Sequence, residues 1–344
     1  MIESGVSTMN VRPRRAIVCF AGVGLALALA GCAGGPSAPP ESNLSPSGQP
    51  KFVRMNGANV AFAEFKNSAF PYRGLIPPDE DNDKARPFLD VNDDGRLGHS
   101  SPRGGLLWED TTYNDRHVLF AAGNEFDPNH AGAIVVFFHG NQTTLARDVV
   151  ERQQTARQLA QSDLNGVLVA PQLAVDANDS SAGNFWRPGA FAQFLDEAEG
   201  KLADLYPNAS RAAFRRMPVV IVAFSGGYLP AAYSLAQGGA GDRIRGVVLL
   251  DALYGEEDKF AHWVEGARHS AFFVSAYSSS THDRNVSLRG RLERDGVAVQ
   301  SGLPDDLRPG TVAFIDSGDV RHEDFVNVAW TSDPLREILS RVER

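Results

Sequence analysis

The sequence predicts an α/β fold with a mostly parallel central sheet and helices on both faces. Apolar runs of strand length alternate with amphipathic segments from about Val118 to the C-terminus. Runs that are apolar throughout fit strands covered on both faces, and their alternation with helices fits parallel pairing through right-handed crossovers. One run, Val219 to Phe224, leads directly into Ser225-Gly226-Gly227 and then into helical spacing. The length left after the first fifty of 344 residues suits one large domain.

Along the chain, Arg12, Arg14 and Arg15 precede an uncharged apolar run from Ala16 to Ala30. That run is too short for a comfortable bilayer span of about 20 residues and reads as a targeting segment. Met1 to Thr8, with Glu3 and no basic residue, is an odd preamble to it, and Met9 is the better-placed start. The run ends in Leu29-Ala30-Gly31-Cys32, which resembles the lipobox of bacterial lipoproteins. The resemblance implies a signal peptide over 1–31, cleavage before Cys32 and its lipidation. The chain would then be anchored in the cell envelope, on the periplasmic or outer face. Two or more acyl chains, each buried methylene worth about 0.8 kcal/mol, make a stable anchor. Residues 32–50 are rich in Pro, Ser and Gly and read as a tether. Cys19 and Cys32 are the chain's two cysteines, so the mature domain has no disulfide to form. A net charge of −9 without a basic cluster in the folded part excludes nucleic-acid binding as the expectation.

The domain spans 51–344, and its first part, 51–117, reads as irregular with edge strands and long loops. Inside it, Asp90-Val91-Asn92-Asp93-Asp94-Gly95-Arg96-Leu97 resembles the first half of an EF-hand loop. Ser101 stands where the bidentate Glu would fall, so a solvated Asp/Asn/Gly turn is the favoured reading over a calcium site. Beyond it, Ile134 to Phe138, Val167 to Ala170, Val219 to Phe224, Val247 to Leu250, Phe272 to Ala276 and Val312 to Ile315 read as strands. Leu145 to Gln161, Phe191 to Tyr206, Tyr228 to Gln237, Glu256 to Ala267 and Asn285 to Arg294 read as helices.

Strand, sharp turn and helix around Ser225 make a nucleophile elbow, with Ala223 and Gly227 as the small flanking residues. Two elements earlier, Ile134 to Phe138 ends in His139-Gly140-Asn141-Gln142. With both motifs in this order, the chain from about Val118 onward resembles the α/β-hydrolase superfamily. The resemblance implies backbone oxyanion donors at Asn141 and Gly226, with His139 bracing its turn. A serine hydroxyl needs a base, and the family places a histidine after the last strand, where His322 follows Val312 to Ile315. His282 lies one strand too early. For the acid, Asp251 at the end of Val247 to Leu250 is favoured. Asp283, one strand later, stays open, and Asp316 and Asp319 share the histidine's own loop.

The loop from Asp176 to Gly189 falls on the catalytic edge of a parallel sheet. Trp186 and Arg187 within it, and Tyr254 after Asp251, are candidate substrate-binding residues, Arg187 for an acidic group. Trp186 reads equally as a cap on the core. The sequence carries no zinc-spaced Cys/His cluster, phosphate loop or dinucleotide fingerprint, so no metal or other cofactor is expected. The expectation is therefore a lipid-anchored extracytoplasmic serine hydrolase acting on a small-molecule or cell-envelope ester. Amidase or peptidase chemistry is the near alternative, and a non-catalytic envelope binding protein on the same scaffold the distant one.

Overall fold

The computed structural model describes residues 50–79 and 82–343. The expected signal peptide, Cys32 and nearly all of the tether lie outside these. No helix among the described residues is long and apolar enough to cross a membrane.

Among the described residues ten strands form the central sheet: β1 (Val53–Met55), β2 (Ala58–Glu64), β3 (His117–Ala122), β4 (Ala133–Phe138), β5 (Gly166–Pro171), β6 (Val219–Phe224), β7 (Ile244–Leu250), β8 (Phe272–Tyr277), β9 (Gln300–Ser301) and β10 (Val312–Asp316). Their order is β1-β2-β3-β5-β4-β6-β7-β8-β10-β9. From β5 across to β9 every pair is parallel, while β1, β2 and β3 join antiparallel at one side. Each of the six expected strands is present. Sequence reading did not resolve β3, an interior strand whose buried Val118 to Ala122 lie between β2 and β5.

The apolar runs are buried on both faces because helices cover both. Ile134, Val136 and Phe138 of β4 face one layer, with Ala190–Leu205, Tyr228–Gln237 and Glu257–Ala267 on that side. Val135 and Phe137 face the other, against Leu145–Arg152, Thr155–Ala160 and Pro334–Leu339.

One expected helix is two. Leu145–Arg152 is wound as a π-helix, and Gln154, at φ 52°, breaks the chain before Thr155–Ala160. The buried Asp148 carboxylate accepts from the Thr144 amide, Arg147 and Arg152, which ties it to that turn. The carbonyls freed at the break are taken up by neighbours. Thr155 Oγ1 donates to Val149 O at 2.9 Å, and Gln158 Nε2 to Gln153 O at 3.0 Å. Such local side-chain partners make an interruption tolerable inside a core.

The early segment does more than fray at an edge. Val91–Asp93, Arg96–Ser100 and Leu106–Trp108 form a separate antiparallel sheet. The calcium-like run is the tight hairpin of this sheet. Asp94 and Gly95 turn with φ of 48° and 92°, as an Asp-Gly hairpin turn does. Asn92 Oδ1 accepts from Gly95 N and Asp90 Oδ1 from Ser100 N, both at 2.8 Å, so two of the supposed ligands serve the backbone. The segment packs through an aromatic cluster in which Phe88 touches Phe70, Tyr72, His99, Tyr113 and Trp186.

Candidate active site

Strand β6 delivers Ser225 into a sharp turn at φ 52°, and the helix Tyr228–Gln237 starts three residues on. An L-residue held at positive φ is strained, and here the strain aims the hydroxyl off the strand end. Close approach sets the glycine at the neighbouring strand end. A Cβ on Gly140 would stand 2.7 Å from Ser225 Cβ.

His322 follows β10 and meets the serine with its Nε2 2.7 Å from Ser225 Oγ. Its Nδ1 lies 2.7 Å from Asp251 Oδ2, so the ring carries its proton on Nδ1, donates it to the carboxylate and leaves Nε2 to accept from the serine. Phe224 stacks on the imidazole, centroids 5.0 Å apart and planes 20° off. Asp251 is fully buried at φ 44° at the end of β7. Burial pushes its carboxyl up, but donors outweigh this and hold it well below the usual carboxylate range. They are His322, the Ser278 amide, the hydroxyls of Thr281 and Ser280, and Ser278 Oγ. Of the two acids left open, the structure brings Asp251 to the His322 imidazole. Asp283 points fully into solvent at the start of the helix His282–Arg294, where it meets His282 and not the catalytic imidazole.

The backbone amides of Asn141 and Gly226 have no acceptor among the described residues. The Asn141 side chain arches over Gly226, where its Oδ1 accepts from Ser180 Oγ at 3.1 Å, and a Cβ on Gly226 would lie 2.1 Å from that oxygen. His139 braces the turn as the resemblance implied. Its Nε2 accepts from Leu173 N at 2.9 Å, and its Nδ1 donates to Gly140 O at 2.7 Å. Complete burial pushes this imidazole down to about 4, so it is neutral at pH 7.

Beside the triad opens a cavity of about 390 Å³, walled by Arg103, Asp179, Ser180, Trp186, Tyr228 and Tyr254 among others. Tyr254 stands edge-on to the imidazole, its hydroxyl 3.3 Å from His322 Nδ1 and 3.0 Å from Ser280 Oγ. Trp186 packs on Tyr72 and Phe88, as a cap on the core does, and is also among the residues that line the cavity. Arg187 does not line the cavity; it is exposed and bonds Asn184 and Gln193. A larger hollow of about 740 Å³ lies at the opposite end of the sheet, where the first residues of β4 and β8 and the turn before β6 line it, away from the chemistry.

Sequence reading missed Ser180, Arg103 and the hydroxyl cradle of Asp251. The run Ser278-Ser279-Ser280-Thr281 after β8 was a visible signal, since β8 is the neighbour of the strand that ends in Asp251.

A serine, a histidine and a carboxylate on three strand ends of one mostly parallel sheet, with an elbow and a His-Gly turn, give the architecture of an α/β-hydrolase. No family model matches the chain, and no curated protein matches it in sequence. Among solved structures it is similar to the feruloyl esterase module of Clostridium thermocellum complexed with sinapinate. The two share 13% identity at a TM-score of 0.44, over 79% of this chain and 95% of that one. It is also similar to an S-formylglutathione hydrolase from Agrobacterium tumefaciens, with 11% identity and a TM-score of 0.43 over 85% and 98%. A thermostable esterase from Pseudomonas putida gives 10% identity and a TM-score of 0.44 over 84% and 83%.

Proposed function

We propose that this chain is a serine hydrolase that cleaves an ester through an acyl-enzyme. The observation that carries the reading is the unbroken hydrogen-bond line Ser225–His322–Asp251, with both contacts at 2.7 Å. In the first half-reaction Ser225 Oγ bonds to the carbonyl carbon while His322 Nε2 takes the hydroxyl proton. The carbonyl electron pair moves onto oxygen, which the Asn141 and Gly226 amides receive. Collapse of that intermediate breaks the bond to the alcohol oxygen, which leaves with the proton from Nε2. A water then repeats the sequence, releasing the acid and restoring Ser225. Asp251 stays ionised and stabilises the imidazolium formed in each half. An amide would need the same steps with a poorer leaving group, so esters are the substrate class to test first.

We place the enzyme in the cell envelope through lipidated Cys32, a reading supported by the lipobox-like run and the polar tether after it. The test of the chemistry is fluorophosphonate labelling read by intact mass. The parent is expected to gain one adduct and Ser225→Ala none. A folded parent that takes no label overturns the hydrolase reading and turns attention to ligand capture. Metabolic labelling with a clickable fatty acid, lost in Cys32→Ala, tests the anchor separately.

A further inference from the structure

The cavity wall carries several charged side chains, and most are matched. Arg86 meets Asp79 at 3.0 Å, Arg284 meets Glu257 at 3.0 Å, and Glu256 is paired with Lys259. Asp179 is buried and accepts from the Tyr113 hydroxyl at 2.9 Å and the Ser181 amide at 3.3 Å. Arg103 makes no ion pair with any described residue. Its guanidinium lies over the Tyr254 ring, 5.9 Å from the centroid, and that centroid is 5.7 Å from the imidazole of His322. A guanidinium resting on an aromatic face keeps its in-plane N–H groups free for a ligand.

The backbone beneath Arg103 is held on both sides. Arg103 sits at the tip joining Arg96–Ser100 to Leu106–Trp108, where Ser101 N donates to Gly105 O at 3.1 Å and Gly104 N to Ser101 O at 2.9 Å. Ser101 Oγ accepts from Arg103 N at 3.2 Å and donates to Asn178 O at 3.0 Å. The tip is therefore tied to the 178–181 loop, which also holds Ser180 against Asn141. The backbone that carries Arg103 is thus bonded to the loop beside Asn141, and its guanidinium lies one aromatic ring away from the imidazole.

We propose that Arg103 is an anion-recognition residue of this site, and that the preferred ester carries a carboxylate a few bonds beyond its scissile carbonyl. The proposal rests on Ser225 acting as nucleophile. The planar fork of Arg103 pairs with a carboxylate through two parallel hydrogen bonds. An uncharged ester of the same length finds no use for it.

The experiment compares matched esters on the full chain in detergent. 4-Nitrophenyl hemiglutarate against 4-nitrophenyl valerate probes the acyl side. 4-Acetoxybenzoate against phenyl acetate probes the alcohol side. The expected result is a kcat/KM preference of roughly 10- to 100-fold for the anionic member of one pair, carried mainly by KM. Arg103→Gln should collapse that ratio towards one, Arg103→Lys should restore part of it, and Arg187→Gln should leave it at the parent's value. Turnover of neutral esters with no anionic preference, or a preference that survives Arg103→Gln, overturns the proposal while the hydrolase reading stands. No turnover of any ester together with no fluorophosphonate adduct removes the hydrolase reading, and this proposal with it.

Discussion

Replacing Asp251 by Asn separates orientation of the base from mere hydrogen bonding. Five donors converge on the carboxylate: the Ser278 amide and Thr281 hydroxyl on Oδ1, and Ser278 Oγ, Ser280 Oγ and His322 Nδ1 on Oδ2. An Asn that keeps its oxygen against the Ser278 amide turns its NH2 towards the other three. The serine hydroxyls can rotate and accept, but His322 Nδ1–H cannot. The imidazole then settles with its proton on Nε2, facing Ser225, and can no longer take the serine's proton. Loss of the tautomer at an otherwise intact triad costs about 10⁴ in kcat, or about 5 kcal/mol of barrier. The assay is turnover of a 4-nitrophenyl ester and the rate of fluorophosphonate labelling, with thermal unfolding to confirm the fold. Asp283→Asn, altering a fully exposed carboxylate, should stay within about twofold of the parent. The reasoning fails if Asp251→Asn retains a tenth or more of the parent kcat, or if Asp283→Asn loses as much.

Other outcomes follow from the same geometry. Gly140→Ala places a methyl 2.7 Å from Ser225 Cβ and 3.1 Å from the Phe224 ring, so labelling should slow by about 10- to 100-fold as the hydroxyl is pushed out of line. Its melting point should fall only a few degrees, for an overpacking cost of about 1–3 kcal/mol; an unchanged labelling rate would refute that close approach. Tyr254→Phe deletes a hydroxyl that reaches Ser280 and His322 but leaves the bond from His322 to Asp251, so kcat should drop less than about tenfold. A loss near 10³ would mean that the phenol takes part in the chemistry. For stability, His139 titrates at about 4 when folded against an ordinary 6.5. Between those values the unfolded chain binds a proton that the folded one refuses, so acidification from pH 7 to 4 should cost about 3 kcal/mol. Asp251 is also depressed, and its contribution is lost further down, as pH falls below the ordinary carboxylate range. His117 is raised by its hydrogen bond to Asp115, so its contribution is lost as pH rises above 6.5, outside the His139 window. Urea unfolding in steps from pH 7 to 4 tests this, and a flat midpoint between pH 6.5 and 4.5 would contradict it.

The three side chains that the structure brings together were legible because each lies at or just after the end of a strand that the sequence marks strongly. Val219 to Phe224 is buried at every position, and this run together with the later motifs in order marks Ser225. Asp251 and His322 were legible for the same reason, one directly after β7 and the other a short loop past β10. The choice between Asp251 and Asp283 was legible only as a preference for Asp251. It depended on side-chain direction after two adjacent strands, and the positive φ at Asp251 that turns its carboxylate inward is a tertiary outcome. The split helix was illegible. Its apolar spacing is continuous across Gln154, and beside the local bonds to Asp148 the break is tied by Gln158 to partners distant in sequence, Val326 O and the Leu335 amide.

Arg187 and Arg103 show where the boundary between legible and illegible lies. Arg187 sits on a loop that does reach the catalytic edge, yet its neighbour Trp186 is consumed by the aromatic cluster and the arginine is turned outward. Arg103 comes from the hairpin segment, where the sequence predicts irregular structure, and nothing local marks it. It reaches the cavity because Ser101 is bonded to the 178–181 loop and because Phe88, His99 and Tyr113 pack the sheet beneath it. Strand-end residues are fixed by a backbone pattern that repeats along the chain, whereas cavity walls are fixed by contacts between segments distant in sequence. Reaction type therefore follows from the first kind of information and substrate choice from the second. A double substitution of Phe88 and Tyr113 by Leu, which removes ring packing under the hairpin and the Tyr113–Asp179 hydrogen bond, should loosen the hairpin. It should erode the preference between charged and neutral esters more than it slows neutral-ester turnover, and equal losses on both would place the hairpin in the catalytic frame rather than in the substrate wall.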